Sequence, residues 1–426
     1  MQEKNLRWCG IITLFVLVAV SYVDRINIAV LITDSVFLNH IGLDKGDRVG
    51  QGLLATVFMV GYGISSIVLT PFASSALGVR FSLVLGLMVW GITTFASPMF
   101  RSYELLLISR FLLGVSEGPV FALAGAYIKA HFSNEENGKP NSIVNMGTGL
   151  GLAIGYPIIG YLLAEHGADA SFYVLGVLNI ALGVPLVLAF VSMPTNASGR
   201  AAISVQRKSV LTIVRGALKT HHLLLITIMT SAYLSYLWGN SNWLPSYLKE
   251  ARGFSIHEMG WMASLPQYAI VIAVLISGVI IDKLPRSKVP LMFVFCSIGV
   301  GLSILTAILV FDPYLAALAL IVANFLWGLM SPAFPTMVQY FAKTEHVASA
   351  YGVINGVASL IAGFMPTLMG GIIASTATPQ LGFLLGFGTL IGTQVVVMLC
   401  GIKLFFNENQ RSAIDAEASL VMHFHE

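Results

Sequence analysis

Four ionisable residues lie inside long apolar runs of the sequence: Asp24, Arg25, Arg110 and Glu117. A charged side chain at bilayer depth costs about 2.5–3.5 kcal/mol on insertion scales, so four of them together indicate a function. Their charges cancel when all are ionised, which favours two exchangeable ion pairs. Arg110 and Glu117 are seven positions apart and share one helical face, about 10 Å apart along the axis. The adjacent Asp24 and Arg25 point about 100° apart and should contact different partners.

These residue types suit the binding of an anion coupled to a proton. The planar guanidinium of Arg25 matches the geometry of a carboxylate. Desolvation favours the neutral form of a carboxyl group, so Glu117 and Asp24 are expected to take up and release a proton. A proton on Glu117 would free Arg25 or Arg110 for an anionic substrate. The alternative is structural: Arg110 and Glu117 form a fixed ion pair within one helix, and Asp24 and Arg25 serve helix packing.

The composition indicates what must position these residues. The chain has 426 residues, of which 56% are AVILMFWYC and 10% are Asp, Glu, Lys or Arg, against about 25% charged residues in soluble domains. This excludes a soluble protein with a single anchor. About twelve apolar runs reach the roughly 20 residues that a spanning helix needs. They are too long for barrel strands, and a lipid-exposed backbone must satisfy its own hydrogen bonds, so the sequence predicts an all-α polytopic membrane protein.

Basic residues divide unequally between alternate loops, with 16 Lys and Arg on one predicted face and 5 on the other. By the positive-inside rule, both termini are predicted to be cytoplasmic, in a cell (inner) membrane. A basic segment at 193–222 separates six spans from six. We therefore predict an N-terminal six-helix bundle at 1–192, a cytoplasmic linker at 193–222, a C-terminal six-helix bundle at 223–404 and a cytoplasmic tail at 405–426.

The two halves contain related sequences. Residues 110–121 in the fourth predicted span correspond to 324–334 in the tenth, and the Asn and Pro that bound 145–157 in the fifth correspond to those that bound 355–366 in the eleventh. Two six-span halves with matching interrupted helices are how transporters place a site near the bilayer midplane and move around it. The sequence therefore predicts two pseudo-symmetric six-helix bundles with a site between them.

A loop in the second half carries Asp282, Lys283 and Arg286 in an arrangement similar to the cytoplasmic gating motif of the major facilitator superfamily. The chain resembles that superfamily over nearly its whole length. The resemblance implies the twelve-helix major facilitator fold, transport by alternating access, and gating roles for these three residues and for Arg80. The corresponding loop of the first half keeps Arg80 but has Ser where the motif has an acid.

Within that superfamily, residues 21–29 resemble the first-span signature of the anion:cation symporters, and Arg110, Glu117 and the segment 243–253 fit the same family. That family includes sugar-acid and aromatic-acid permeases of bacteria and the sialate and glutamate carriers of animals. The resemblance implies proton symport of a small organic anion, first of all a sugar acid such as an aldonate, aldarate or hexuronate. An aromatic or dicarboxylic acid would use the same Arg25 clamp, whereas a proton-driven drug exporter would have no fixed cation there.

The sequence has no phosphate-binding glycine loop and no nucleophile–base motif, which argues against an enzyme. An ion gradient, with H⁺ as the driving ion, is the expected energy source, and no cofactor, metal or nucleic acid is expected. The three cysteines are widely spaced, so neither a disulfide nor a metal site is predicted. We expect a monomer in the lipid bilayer whose partners are the anion and the proton.

Polar residues at span depth are candidates for contacting the substrate beside Arg25. The candidates are Tyr22, Tyr62, Asn145, Thr148, Asn242, Trp243, Ser331 and Asn355. Asn, Ser and Thr also join membrane helices to one another, and Trp243 would equally suit an interfacial belt. Sugar-acid members of the family commonly have Gln in the place of Thr148, so this departure argues against a sugar acid.

Overall fold

A computed structural model describes residues 2–72, 77–100, 102–132, 138–192, 220, 222–341 and 347–423. Within these ranges the chain is helical and has no β-strand. Eleven helices of the described residues are long and apolar enough to cross a membrane. Another, Leu223–Ser246, lies in seventh place and is less apolar, because Asn240, Asn242 and several serines occupy its second half.

The first half contains six spans, which we number in chain order. Their bounds are Gln2–Leu31; Arg48–Phe72; Val79–Ala96; Tyr103–Glu117 with Val120–His131; Gly138–His166; and Ala168–Val177 with Leu178–Gly183 and Val184–Phe190. The middle part of the sixth span is π-helical. A short helix, Ser35–His40, follows the first span.

The second half contains spans seven to twelve. Their bounds are Leu223–Ser246 with Tyr247–Ala251; Ile256–Lys283; Val289–Leu309; Pro313–Met330 with Ala333–Phe341; Val347–Gly363 with Met365–Ala374; and Pro379–His423. Twelve spans in two halves of six confirm the predicted fold class. The predicted linker at 193–222 lies almost entirely outside the described residues, and the predicted bundle boundaries stay a prediction.

The fourth and tenth spans break at matching places, as the repeat predicts. The fourth stops at Glu117 and resumes at Val120, and the tenth stops at Met330 and resumes at Ala333. A proline lies in each gap and lacks the N–H that would continue the backbone ladder. The first half therefore ends a helix directly at one of the four buried charges.

The fifth and eleventh spans do not match in the same way. The fifth continues through Pro157, whereas the eleventh is divided at Phe364, just before Pro366. Matching prolines in the repeat therefore do not produce matching breaks here.

The second span, from the first half, and the eleventh, from the second half, cross with their backbones in direct contact. A Cβ on Gly52 would lie 2.4 Å from the carbonyl oxygen of Pro366, and one on Gly370 would lie 2.2 Å from that of Arg48. Neither position accommodates a side chain, so both crossings require glycine. Small residues permit this close approach of helices in membranes.

The two halves are also held together at one face, the distal face, which carries the loop 32–47 between the first and second spans. Arg48 makes two hydrogen bonds to the carboxylate of Glu250, one of them 3.0 Å long, and these side chains are only 7% and 10% exposed. Lys249 donates to the carbonyl oxygen of Thr33 at 2.7 Å. These bonds connect the end of the seventh span to the first half, so the distal face is closed.

Glu250→Gln is expected to open the distal face. The substitution leaves Arg48 without its counter-ion, and breaking a buried ion pair typically costs about 3–5 kcal/mol. A cysteine at Ala29, which is buried two residues before the first span ends, should then react at least about tenfold faster with a membrane-impermeant maleimide. The measurement uses a chain whose three native cysteines are replaced.

Glu165→Gln is the matched control for this prediction. The Glu165–His257 pair also joins the two halves, but its side chains are 49% and 53% exposed. Exposed pairs contribute about 0–1 kcal/mol, so labelling should change little. Equal labelling in Glu250→Gln and in the parent chain would contradict the role assigned to the Arg48–Glu250 pair.

Candidate functional site

The four charged residues singled out in the sequence come together between the first and fourth spans. Asp24, Arg25, Arg110 and Glu117 are 1%, 7%, 3% and 0% exposed. Glu117 is the last residue of the first helix of the fourth span, at its break. The prediction that these four form one constellation agrees with their positions.

Glu117 pairs with Arg25 of the first span. Arg25 Nε donates to Glu117 Oε2 at 3.0 Å. Between the described side chains there is no ion pair of Glu117 with Arg110, so the alternative of a fixed pair within one helix is replaced by a pair between two spans. The other oxygen, Glu117 Oε1, has no hydrogen-bond partner in the described part of the chain. Protonation of Glu117 would remove the charge that attracts Arg25, and another anion would then be able to take the place of the carboxylate.

Asp24 and Arg110 complete the group. Arg110 Nη1 donates to the backbone oxygen of Asp24 at 3.4 Å, and the Asp24 carboxylate accepts a 2.7 Å hydrogen bond from Asn179 Nδ2. Asp24 and Arg25 thus contact different partners, as their adjacent positions predict. Sequence reasoning missed Asn179, whose only signal is an amide inside an otherwise apolar span.

Aromatic rings surround the Arg25 guanidinium. Its Cζ lies 4.3 Å from the ring centroid of Tyr22, 4.6 Å from Tyr62, 5.3 Å from Phe58 and 5.9 Å from Trp238. Cations are stabilised over aromatic faces within about 6 Å, more strongly where water is excluded. The rings therefore restrict the position of the guanidinium without neutralising its charge, which Glu117 does in this structure.

Trp238 brings the second half into the site. It belongs to the seventh span and stacks against Tyr22 of the first, with ring centroids 6.5 Å apart and planes at 26°. Sequence reasoning singled out Asn242 but missed Trp238, which lies four positions earlier and so on the same helical face. That spacing is the signal that would have found it.

A cavity lies beside Arg25 at the boundary between the halves. Its polar lining consists of Arg25, Arg110, Ser241 and Asn242. The remaining seven lining residues are apolar: Ile26, Ala29, Ala55, Phe58, Met59, Trp238 and Pro366. Ser241 Oγ and Asn242 Nδ2 have no hydrogen-bond partner among the described residues. In this conformation the cavity is only large enough for about one water molecule. Its two cations, hydroxyl and amide, between largely apolar walls, are the groups that a small anion would meet if the halves separated.

The other predicted substrate contacts do not line this cavity, although Tyr22 and Tyr62 lie against Arg25. Trp243 is fully buried, and its Nε1 donates to Pro366 O at 2.9 Å, so it packs the seventh span against the eleventh. Asn145 is exposed and donates to a carbonyl of its own helix. The cavity lining also lacks the predicted contacts Thr148, Ser331 and Asn355.

The predicted gating residues are only partly described. Arg80 is exposed and donates to the carbonyl oxygen of Leu188, and Lys283 is exposed. The side chains of Asp282 and Arg286 lie outside the described residues, so their gating role stays a prediction. Across the described ranges, no three His, Cys, Asp or Glu side chains are grouped closely enough to hold a metal ion.

Comparison with known proteins places these features in a family context. The family model described as Major Facilitator Superfamily matches residues 14–366. The protein named "Probable sulfoacetate transporter SauU" from Cupriavidus necator is 24% identical over 89% of this chain and 90% of its own. "Probable L-galactonate transporter" of Escherichia coli is 23% identical over 93% and 90%. "Hexuronate transporter" of Bacillus subtilis is 25% identical over 91% and 93%. These names are consistent with the resemblance to anion:cation symporters.

Solved structures share the fold. A bacterial homologue of the human lysosomal transporter Spinster, in an inward-facing and unoccupied conformation, superposes with a TM-score of 0.72 at 16% identity, covering 95% of this chain and 97% of that one. The D-xylose-proton symporter gives a TM-score of 0.74 at 13% identity, covering 93% and 96%.

Proposed function

This chain belongs to the Major Facilitator Superfamily and is a secondary transporter, not an enzyme, and we propose that it carries a small organic anion across the membrane together with a proton. The observation that carries the proposal is the buried Arg25–Glu117 pair beside the cavity. The two partners are an anion-binding group and a proton-accepting group in direct contact. Anything that changes the protonation of Glu117 therefore changes how strongly Arg25 attracts an anion.

The coupling follows from competition for Arg25. With Glu117 ionised, the guanidinium already has a counter-ion at 3.0 Å. A proton on Glu117 removes that counter-ion and leaves a buried cation, which is unfavourable until an anion replaces it. A substrate carboxylate in the cavity supplies the replacement. Proton and anion thus stabilise each other's binding, and release of one weakens the hold on the other, as thermodynamic reciprocity requires.

The closed distal face indicates the side of the membrane from which the site is inaccessible. If both termini are cytoplasmic, as the distribution of basic residues predicts, the distal face is external. The structure then corresponds to a state closed to the outside. In the proposed cycle, the Arg48–Glu250 contact separates when the site opens outward, while the four buried charges remain near mid-membrane. We further propose that the protein acts as a monomer in the inner membrane.

A sugar acid is the first substrate class to test. Two of the relatives above are named for L-galactonate and hexuronate, and Ser241 and Asn242 offer hydrogen-bonding groups to substrate hydroxyls. The apolar walls and the Trp238 ring favour a second candidate, a carboxylic acid with an aromatic body. Stacking on Trp238 and a carboxylate on Arg25 would use the cavity without many hydroxyl contacts.

A thermal-shift screen of the purified protein distinguishes these classes, because a ligand that binds the native state raises its stability. The panel contains aldonates and hexuronates, benzoate-type acids, and short dicarboxylates. Stabilisation by a member that also supports counterflow in proteoliposomes supports the proposal. Binding of none of the anions, together with stabilisation by a lipophilic cation, would favour a drug exporter.

Trp238→Ala is expected to raise the KM for the anion about tenfold. The substitution removes the most distant ring of the set around Arg25, at 5.9 Å, and a contact of about 1.4 kcal/mol, within the range of cation–π interactions, corresponds to tenfold. Counterflow of the anion identified by the screen measures the effect. Trp261→Ala is the matched control, because Trp261 is 60% exposed on the eighth span and does not line the cavity. Equal KM values for the two variants would show that Trp238 does not act on substrate binding.

A further inference from the structure

A buried amide in the sixth span is not accounted for by binding of the anion. Asn179 is 1% exposed and lies in the π-helical segment Leu178–Gly183. Short π-helical segments within α-helices are rare and occur frequently at functional sites. Asn179 is absent from the cavity lining, so its role must be exerted through another residue.

That residue is Asp24. Asn179 Nδ2 donates to Asp24 Oδ2 at 2.7 Å, and both side chains are almost completely buried. The other carboxylate oxygen, Asp24 Oδ1, has no hydrogen-bond partner among the described residues. The amide therefore engages one oxygen and leaves the other to carry a proton.

The charged groups near Asp24 do not provide an equivalent contact. Arg110, from the fourth span, donates to the backbone oxygen of Asp24 and not to its carboxylate. Arg25, on the first span itself, is directed to Glu117, which is the nearby acid from the fourth span. Asp24 thus lies in the field of two cations and one anion, while its side-chain hydrogen bond comes from a neutral amide of the sixth span.

Packing fixes the position of the amide. A Cβ on Gly91 of the third span would lie 3.2 Å from Asn179 Cβ and 2.6 Å from Cγ1 of Ile180. The third span is therefore closely packed against the π-helical segment at Asn179 and Ile180. This contact leaves Asn179 little freedom to turn away from the first span.

We propose that Asn179 is a positioning residue for proton coupling: its amide stabilises the ionised form of Asp24 and so sets the pH at which Asp24 takes up a proton during transport. The inference rests on the proposed function, because it assigns the regulation of the same proton-coupled site. A hydrogen bond to a charged group favours that charged form. Loss of the amide should let Asp24 bind its proton at a higher pH.

The test is the pH dependence of anion uptake by proteoliposomes containing the full chain. Asn179→Leu removes the donor at similar volume, and Asn179→Ala removes it with a smaller side chain, so the two variants separate the lost bond from altered packing. We expect the pH of half-maximal uptake to rise by about one unit in both, as one hydrogen bond to a charged group implies. Ser171→Ala, at a buried position on the same span whose hydroxyl donates to the carbonyl oxygen of Ala168, should leave the profile unchanged.

Testing Asn179→Ala in the Asp24→Asn chain distinguishes an effect exerted through Asp24 from a general loss of structure. In Asp24→Asn, Glu117 alone sets the pH dependence of counterflow. Adding Asn179→Ala should then leave that pH dependence unshifted and change the counterflow rate less than twofold, because the residue through which Asn179 acts has no charge to stabilise. A merely structural role would reduce counterflow equally in both backgrounds and would overturn the proposal. So would an unshifted profile in whichever of the two Asn179 variants folds, or a shift of the profile when Asn179→Ala is added to Asp24→Asn.

These outcomes are separable from failure of the proposed function. If the unsubstituted chain shows no pH-driven accumulation of any anion, proton coupling itself is wrong. If it does accumulate an anion and Asp24→Asn alters the pH profile, but the Asn179 variants match Ser171→Ala, only the role of Asn179 is wrong.

Discussion

Glu117→Gln is expected to abolish accumulation of the anion driven by a pH gradient while preserving counterflow. The amide is close in size to the carboxyl group but does not exchange a proton, so Arg25 is left permanently without its ionised counter-ion at 3.0 Å. Anion exchange needs only the free guanidinium, whereas accumulation needs the proton cycle. Proteoliposomes with an imposed pH gradient, compared with the same vesicles preloaded with anion, measure both quantities.

Glu104→Gln is the matched control for this substitution. Glu104 lies at the start of the same span, is exposed, and bonds the hydroxyl of Ser102. Its replacement should leave both accumulation and counterflow near their original rates. Normal pH-driven accumulation by Glu117→Gln would remove Glu117 from the coupling mechanism.

Arg25→Lys is expected to raise the KM for the anion by about 10- to 100-fold with a smaller effect on expression and folding. The ammonium keeps the charge but loses the planar fork that binds a carboxylate with two bonds. It also loses the broad contact of the guanidinium with the rings of Tyr22, Tyr62 and Phe58. One or two charge-assisted hydrogen bonds, at about 1.5–3 kcal/mol, account for the range.

Arg110→Lys provides the comparison for Arg25→Lys. Arg110 also lines the cavity, but among the described residues its guanidinium makes one 3.4 Å hydrogen bond to a backbone oxygen and lies 5.0 Å from the centroid of one aromatic ring, that of Phe58. We therefore expect a smaller increase in KM, below about tenfold. A larger effect at Arg110 than at Arg25 would move the anion-binding role to the fourth span.

The sequence was sufficient to find the four charges because the membrane makes charge costly. Each of them stands out from an apolar run, and their burial in the structure agrees with that reasoning. The repeat likewise predicted the paired breaks of the fourth and tenth spans, since a proline cannot continue the backbone hydrogen bonds. Both inferences need only local information about a residue and its neighbours.

Which of those charged residues pair with each other could not be predicted from the sequence. Spacing within one helix suggested Arg110 as a partner of Glu117, but Arg25, 92 residues away in the chain, makes the contact. Which helical faces meet depends on how six spans pack, and a single sequence does not specify that packing. For the same reason Asn179 was not predicted, because its contact with Asp24 depends on how the sixth span packs against the first.

The substrate contacts were predicted least well, and the reason is physical. Asn and Thr are as common in helix–helix contacts as in binding sites, so Asn145 and Thr148 were credible candidates although they bond within their own helix. Trp238, by contrast, appears apolar in sequence and acquires its role by facing a cation of the other half.

The most direct test of proton–anion coupling is the internal pH of proteoliposomes that contain a trapped pH-sensitive dye. With no imposed gradient, addition of the transported anion outside should acidify the lumen as proton and anion enter together, and Glu117→Gln should abolish the acidification while anion exchange continues. Entry of the anion with no change in internal pH, or accumulation driven by a sodium gradient alone, would contradict proton symport through the Arg25–Glu117 pair.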